Sequence, residues 1–350
     1  MSLFKLGISL GLVCLLWGAL EANAQVAWNS TDWTDYDTIT IDAANIDDDL
    51  TDFPVYVDLA DLSSTFWSTT PTSSSLVGTD IRVTTDDGSP TELPRELVFA
   101  SSTAQTGELH FRADSISSTT DTVFRIYYNG TTTGDYASTS VNGSQNVWTN
   151  DYAAVWHPEN NGSDSTANGH TLSANGNANA NGVGKMGDAF TFDGNGDSYS
   201  ATSFSSHANS NTYTISAWSY LNTIGTTNNA DDSALLSYSS GNTNVDLLWF
   251  NVNADGSGDR IYSWNVNDTG VGTNRINAAT TPVPTTWHHV VATRNAGNLE
   301  LFFNGVSDGT QTGAATGNNQ ATDEIRLGGW DFAATMDFDG RIDSVRVATS

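Results

Sequence analysis

Apolar and polar residues alternate along most of this chain, and this two-residue period constrains the fold more than any other feature. Segments such as Val123–Tyr128, Tyr213–Trp218 and Leu299–Phe303 place every second side chain on one face, which is typical of half-buried β-strands. No window of three helical turns carries an apolar stripe at helical spacing. The Asn304-Gly305 pair that follows Phe303 predicts a two-residue hairpin. We therefore predict an all-β protein.

A change in composition divides the chain. Residues 129–150 are mostly Gly, Ser, Thr and Asn, with scattered apolar residues such as Tyr136 and Trp148, whereas strand patterns dominate on both sides. We interpret 135–149 as a linker between a β-sandwich domain over 25–134 and a second domain over 150–350. About eight strands over the second part predict one two-sheet jelly roll rather than two smaller units.

The N-terminus has the pattern of an export signal. Lys5 precedes the apolar run Leu6–Leu20, and Ala22-Asn23-Ala24 follows as an A-x-A cleavage site. We predict a signal peptide over 1–24, because a fifteen-residue run is shorter than the ~20 residues a membrane-spanning helix needs. A membrane anchor and lipidation at Cys14 are the alternatives. We expect a bacterial protein that is secreted or displayed at the cell surface, with no transmembrane segment in the mature chain.

The charge balance excludes one class of partner. Asp and Glu number 40 against 12 Lys and Arg, for a formal net charge of -28. Such a polyanion repels a phosphate backbone, so we expect no nucleic-acid partner. Cys14 is the only cysteine and lies inside the predicted signal, so the mature chain is expected to lack disulfides and thiol chemistry.

Two sets of motifs resemble known families. The second half resembles the LamG-like, concanavalin A-like jelly roll of bacterial surface and secreted proteins. The stretches that carry this resemblance occur in the family's order: Ala154–His157, Asp164–Gly169, Phe192–Gly194, Tyr213–Trp218, Trp287–Val290, Leu299–Gly305 and Phe338–Val347. The first half is similar to the domain of unknown function, family 2341, which often precedes such a jelly roll. That similarity rests on Phe53–Val57, Thr79–Val83, Glu92–Glu96 and Ile126–Gly130.

Catalytic motifs are missing from the sequence. There is no H-E-x-x-H, no G-x-S-x-G and no phosphate-binding loop. The E-x-D-x-x-E pattern that retaining glycosidases on a concanavalin-like fold would need is also absent. Glu92 and Glu96 share a strand-like face, but they flank Pro94. We predict no catalytic residues, and a polysaccharide-degrading enzyme is the less favoured reading.

A structural calcium ion is the predicted cofactor. The resemblance implies one site formed by Asp164, Asn168 and Asp343, and secreted loops rich in Asp, Asn and Gly supply the oxygen ligands that Ca²⁺ prefers. The alternative is that these are ordinary turn residues. For Asp193–Asp197, whose oxygens are also spaced at alternate positions, a plain loop is the favoured interpretation.

Aromatic side chains are the candidates for ligand binding, because sugar rings stack on Trp and Tyr beside polar groups. The predicted ligand-binding residues are Trp249, Asn251, Tyr262, Trp264, Trp330 and Asp331. For each ring the alternative is core packing. His288 and His289 fall on opposite faces of one strand, and we assign them and His157 to packing.

These observations favour a non-catalytic binding protein that recognises a glycan or an extracellular polysaccharide. A structural or adhesion component that binds a surface protein is the alternative.

Overall fold

A computed structural model describes most of the chain. The described residues are 27–70, 77–131, 134–202, 204, 211–224, 233–240, 243–252, 260–268, 272–314, 324–330 and 336–349. The predicted signal peptide, Cys14 and Asp331 lie outside the described residues. Among the helices of these ranges, none combines the length and the hydropathy that crossing a bilayer requires.

The first part of the chain is a sandwich of two antiparallel sheets. One sheet has the order β1-β7-β3-β4 and the other β2-β6-β5. Phe111 and Phe124 join the sheets through an edge-on contact with ring centroids 4.9 Å apart. The elements are β1 (Asp35–Ile41), β2 (Leu50–Asp58), the short helix α1 (Ser64–Thr69), β3 (Arg82–Thr85), β4 (Glu92–Leu93), β5 (Arg95–Ser101), β6 (Thr106–Ile116) and β7 (Thr122–Tyr128).

The segment predicted to be a linker contacts the first sandwich. The hydroxyl of Tyr136 donates to Glu92 Oε1 over 2.6 Å. The indole of Trp148, which is 2% exposed, donates to Glu96 Oε2 over 2.5 Å. A 3-10 turn at Ser144–Asn146 lies between these two anchors. The aromatic residues of this segment thus attach it to the first sandwich.

The second part is a larger sandwich of an eight-stranded and a seven-stranded sheet. The eight-stranded sheet has the order β10-β11-β22-β13-β18-β19-β20, with β8 also paired to β22, and the seven-stranded sheet has the order β17-β16-β15-β14-β21-β12-β9. The strands are β8 (Tyr152–Trp156), β9 (Ser173–Asn175), β10 (Asn179–Val183), β11 (Asp188–Asp193), β12 (Ser198–Thr202), β13 (Thr212–Leu221), β14 (Ser233–Ser240), β15 (Thr243–Val252), β16 (Arg260–Asp268), β17 (Gly272–Asn277), β18 (Trp287–Asn295), β19 (Asn298–Phe303), β20 (Val306–Gln311), β21 (Glu324–Leu327) and β22 (Asp339–Ala348).

Alternation along the strands sorts side chains between the core and the outer faces. In β13 the burial pattern alternates through all ten residues, so Tyr213 points inward and Trp218 outward. Across the core, Ser219 Oγ and Tyr262 Oη lie 2.6 Å apart and link the two sheets. Asn304 and Gly305 both have positive φ, which is the two-residue turn expected between β19 and β20.

The prediction of an all-β protein with a jelly-roll second domain is confirmed. The predicted number of strands in the second part, about eight, was too low. The described residues of this part form fifteen strands. Most of the missed strands are short or rich in Ser and Asn, as in β9 and β10, so they carry little apolar signal.

Candidate functional site

The outer face of the eight-stranded sheet and the first sandwich enclose a groove with a volume of about 450 Å³. Trp218 of β13 and His289 of β18 lie side by side on the sheet, with ring centroids 5.0 Å apart. The ammonium group of Lys185 sits 5.1 Å from the centre of the Trp218 ring. The groove therefore presents a partly exposed indole beside a cationic group.

The opposite wall of the groove comes from β2 of the first sandwich. Tyr56, which is 41% exposed, and Asp58 line it there. Ser216 and Arg346 complete the polar lining on the sheet side. A ligand in the groove would thus meet aromatic rings together with hydroxyl, carboxylate and cationic groups.

Aromatic side chains continue along the same face of the sheet. Tyr220 of β13 lies beside Trp287 of β18, with ring centroids 5.4 Å apart. The guanidinium of Arg341 covers both rings, at 3.8 Å from the Tyr220 centroid and 5.6 Å from that of Trp287. Both pairs thus have a cation over a ring, which is closer at Tyr220 than at Trp218, and Trp218 also lines the open groove.

The charge state of the groove follows from burial and neighbouring cations. Burial and the nearby Arg346 guanidinium lower the pKa of His289, so its imidazole is neutral at pH 7. Burial raises the pKa of Tyr56, and the carboxylate of Asp58 adds to this effect. The charged side chains that line the groove are two cations, Lys185 and Arg346, and one carboxylate, Asp58. The groove is therefore less acidic than the protein as a whole.

Asp343 supports the groove from below. Its side chain is 1% exposed, and Oδ2 accepts hydrogen bonds from the backbone N–H groups of Lys185 and Met186, at 2.8 and 3.0 Å. Burial raises the pKa of Asp343 to about 8 even though these two bonds favour the ionised form. Asp343 thus fixes the short loop from which Lys185 reaches Trp218.

A buried cluster of acids and histidines joins the two sandwiches behind the Tyr56 wall. Glu108 and His110 are neighbours on one face of β6, and His110 Nε2 lies 2.7 Å from Glu108 Oε1. His157, which follows β8 in the second sandwich, places Nδ1 3.2 Å from the same oxygen. Its Nε2 lies 3.7 Å from Glu96 Oε2. The four side chains are at most 6% exposed.

Charges within this cluster are strongly coupled. Burial alone would raise the pKa values of Glu96 and Glu108, but the neighbouring histidines outweigh this effect and lower both pKa values. Burial would likewise lower the pKa of His157, yet the two carboxylates raise it to about 10. Burial lowers the pKa of His110 to about 4, so that imidazole is neutral at pH 7.

The residues predicted to bind calcium have separate hydrogen-bond partners. Asp164 accepts four hydrogen bonds, from the N–H groups of Val155, Thr166 and His170 and from the Thr166 hydroxyl. A carboxylate has about four lone-pair sites, so this shell is full. Asn168 donates to the carbonyls of Tyr152 and Ala153. These bonds resemble those of a structured turn, which was the alternative to a calcium site.

The predicted aromatic ligand contacts fall into two groups. Tyr262 and Trp264 are 1% and 0% exposed and point into the core of the second sandwich, where a sugar cannot stack on them. For these two rings the structure favours the alternative of core packing. Asn251 lies on β15, although its side chain is outside what is described.

Trp249 and Trp330 lie together on the outer side of the seven-stranded sheet. They pack with Ala234 and Met336, and Trp249 is 6% exposed. The Arg275 guanidinium lies 4.9 Å from the Trp249 ring centre. The structure therefore places a small apolar cluster here, on the sheet opposite to the groove.

The groove and the buried cluster contain residues that sequence reasoning assigned otherwise or passed over. His289 was assigned to packing, and the structure shows it on the outer face with Trp218 while His288 points inward. His157 was also assigned to packing. Glu108-x-His110, two residues apart on a strand, is the one sequence signal that places a carboxylate and an imidazole on the same face.

The fold is that of a two-sandwich protein whose second sandwich is a concanavalin A-like jelly roll. Residues 193–350 match the Laminin_G_3 family, described as the concanavalin A-like lectin/glucanases superfamily. The expectation of a concanavalin A-like domain is thus confirmed over that range, whereas the resemblance of the first half to family 2341 stays a prediction. No curated protein matches the sequence.

Similar solved structures include one domain of an arabinanase and two binding domains of other proteins. Domain 4 of AbnA, a GH43 extracellular arabinanase from Geobacillus stearothermophilus in complex with arabinotriose, is 18% identical, with 57% of this chain and 93% of that chain covered at a TM-score of 0.44. The binding domain of Paraclostridial Mosquitocidal Protein 1 is 15% identical, with 57% and 49% covered at 0.44. The receptor-binding domain of botulinum neurotoxin D is 13% identical, with 57% and 50% covered at 0.44. This chain thus spans about half the length of the two toxin domains, and similarity at this level leaves its function open.

Proposed function

We propose that this protein is a secreted or surface-displayed, non-catalytic carbohydrate-binding protein whose ligand lies in the groove between the two sandwiches. The observation that carries the proposal is the partly exposed indole of Trp218, which borders an open groove among Lys185, Asp58 and Arg346. Flat aromatic faces beside hydroxyl-bonding polar groups are the usual means of holding a sugar ring. The lectin and glucanase description of the matched family supports the same ligand class.

The buried acids do not offer an accessible catalytic pair. General acid and base catalysis on a glycosidic bond needs two carboxyl groups that flank the substrate. Glu96 and Glu108 are 5% and 1% exposed and face histidines within the domain interface. We therefore propose binding without hydrolysis.

Export through the predicted signal peptide completes this proposal, because an extracellular polysaccharide is reached only outside the cell. Mass spectrometry of the mature N-terminus tests it. A mature chain that begins at Gln25 is expected, and an intact Met1 in the membrane fraction would contradict it.

We also propose a calcium ion held by Asp164, Asn168 and Asp343, on the grounds of the oxygen-rich sequence of the Asp164 loop. Binding there requires Asp164 to exchange N–H donors for the ion. The test is thermal unfolding in calcium and in chelator. An increase in melting temperature that is lost in Asp164→Asn supports the proposal, and identical curves in both buffers overturn it.

A glycan array probed with the full mature chain tests the groove. Binding to a defined sugar is expected, and Trp218→Ala should reduce it at least tenfold while leaving the fold intact. Trp249→Ala is the matched control, because it removes an indole from the opposite sheet. If only Trp249→Ala loses glycan binding, the sugar site lies on the seven-stranded sheet and not in the groove. A folded wild-type chain that binds no glycan would overturn the proposal in favour of a protein partner.

A further inference from the structure

The cluster between the two sandwiches brings three metal-ligating atoms together. Glu108 Oε1, His110 Nε2 and His157 Nδ1 all lie within 4.8 Å of one another. Two of these separations are 2.7 and 3.2 Å. Ligands about 2.0–2.1 Å from a tetrahedral zinc ion are about 3.3 Å apart. To hold such an ion, Glu108 and His110 have to move slightly apart, and the His110 and His157 nitrogens, which lie within 4.8 Å of each other, have to adopt the same spacing.

Burial makes a cation necessary at this position. Glu96 and Glu108 are two carboxylates removed from solvent, and in the described part of the chain their ion-pair partners are His110 and His157 alone. With both imidazoles neutral, the cluster would hold two uncompensated negative charges in a low-dielectric interior. Either a proton on His157 or a metal ion supplies the missing positive charge.

Unsatisfied nitrogen atoms point to the same position. Neither ring nitrogen of His157 makes a hydrogen bond, and the short approach of Nδ1 to Glu108 lacks hydrogen-bond alignment. A buried polar atom left without a partner destabilises the folded state. Coordination through Nδ1 would satisfy one atom and would leave Nε2–H directed at Glu96, the arrangement in which an outer carboxylate orients a metal-bound histidine.

We propose that Glu108, His110 and His157 bind one divalent transition-metal ion, with zinc as the expected occupant, and that this ion fastens the two sandwiches to each other. Two imidazoles and one carboxylate suit zinc rather than calcium, which takes oxygen ligands. Glu108 and His110 come from the first sandwich and His157 from the second, so coordination spans the interface. Glu96 is a positioning residue. The proposal is independent of any ligand in the groove.

Metal content of the full mature chain tests the proposal. The protein is produced in zinc-supplemented and in zinc-depleted medium, purified by a route without a histidine tag, and analysed by inductively coupled plasma mass spectrometry. One zinc per chain is expected from the supplemented culture. Cobalt in place of zinc should give the visible absorption of a four-coordinate nitrogen and oxygen site.

Matched variants separate this site from adventitious binding. His157→Gln should lose the bound zinc, whereas His170→Gln, which removes a partly buried histidine outside the cluster, should retain it. Glu96→Gln should keep the stoichiometry but weaken zinc affinity by about 10–100-fold, as expected for an outer-shell carboxylate. If His157→Gln does not fold, the cobalt spectrum of the wild type and the zinc affinity of Glu96→Gln still test the proposal.

Two results would overturn the proposal. One is a folded wild-type chain from supplemented medium that holds no zinc and gives no cobalt spectrum. The other is a His157→Gln variant that keeps as much zinc as the wild type. In the first case a proton on His157 supplies the positive charge of the cluster, and in the second the zinc does not depend on His157.

Discussion

Trp264 is a ring that we expect to stabilise the second sandwich, in contrast to Trp218, which we propose binds ligand. Its side chain is 0% exposed in β16, opposite Leu248 and Ile276, and it meets Tyr213 of the other sheet edge-on at 5.9 Å. Its indole N–H makes no hydrogen bond. We therefore predict that substitutions here change stability rather than recognition.

The size of the effect follows from the buried area. A buried Trp removes roughly 200 Å² from water, which at ~25 cal/mol per Å² corresponds to about 5 kcal/mol. Trp264→Ala should accordingly lower the free energy of unfolding by about 3–5 kcal/mol, the range found for such truncations. Trp264→Phe loses roughly a quarter of that area, or about 1 kcal/mol. Because it also removes the unpaired N–H, whose burial costs about 1–3 kcal/mol, the net change should lie between about zero and 2 kcal/mol of stabilisation.

Urea unfolding followed by circular dichroism measures these differences, with the slope of the transition compared between variants. Trp218→Ala serves as the control, since a partly exposed ring should cost little stability. The reasoning is refuted if Trp264→Ala lowers the unfolding free energy by less than about 1 kcal/mol, far below the usual cost of a core truncation. It is equally refuted if a folded Trp264→Phe variant loses glycan binding.

Three further predictions concern other parts of the fold. Asp343 has a pKa raised to about 8, so its own contribution to stability should fall as pH rises from about 4 through 8, and Asp343→Asn should lose less stability over this range than the wild type; equal pH profiles in urea unfolding would contradict this. Gly130→Ala places a Cβ 2.3 Å from the buried Trp33 ring and should lower the melting temperature by several degrees, while Gly88→Ala, with open space around it, should not. Trp148→Ala removes the anchor to Glu96 and should speed limited proteolysis within 135–149, where an unchanged digestion rate would exclude an anchoring role.

Period-two patterning predicted the fold class because each long strand has a buried and an exposed face. The same pattern placed His288 and His289 on opposite faces, and it placed Tyr262 and Trp264 on a shared face. It does not indicate which of the two faces meets the core. That choice depends on the partner sheet, so rings interpreted as open to ligands can prove to be buried.

The candidate groove could not be predicted from the sequence, for a different reason. Trp218 belongs to the second sandwich and Tyr56 to the first, and only the packing of the two sandwiches brings them to one groove. The buried cluster has the same origin, because His157 lies 49 positions along the chain from Glu108, with the predicted linker between them. Spacing within one segment cannot reveal a site that two domains share.

The pairing of β8 with β22 brings the two ends of the second sandwich together. Tyr152 lies opposite Ala348, and the Thr349 N–H donates to the Asp151 carbonyl over 2.9 Å. A pulling force applied at these two points would load the hydrogen bonds of this antiparallel pair one after another instead of all at once. The jelly roll would then open like a zipper at low tension, and resistance to shear flow would depend on the contacts that hold β8 against the first sandwich.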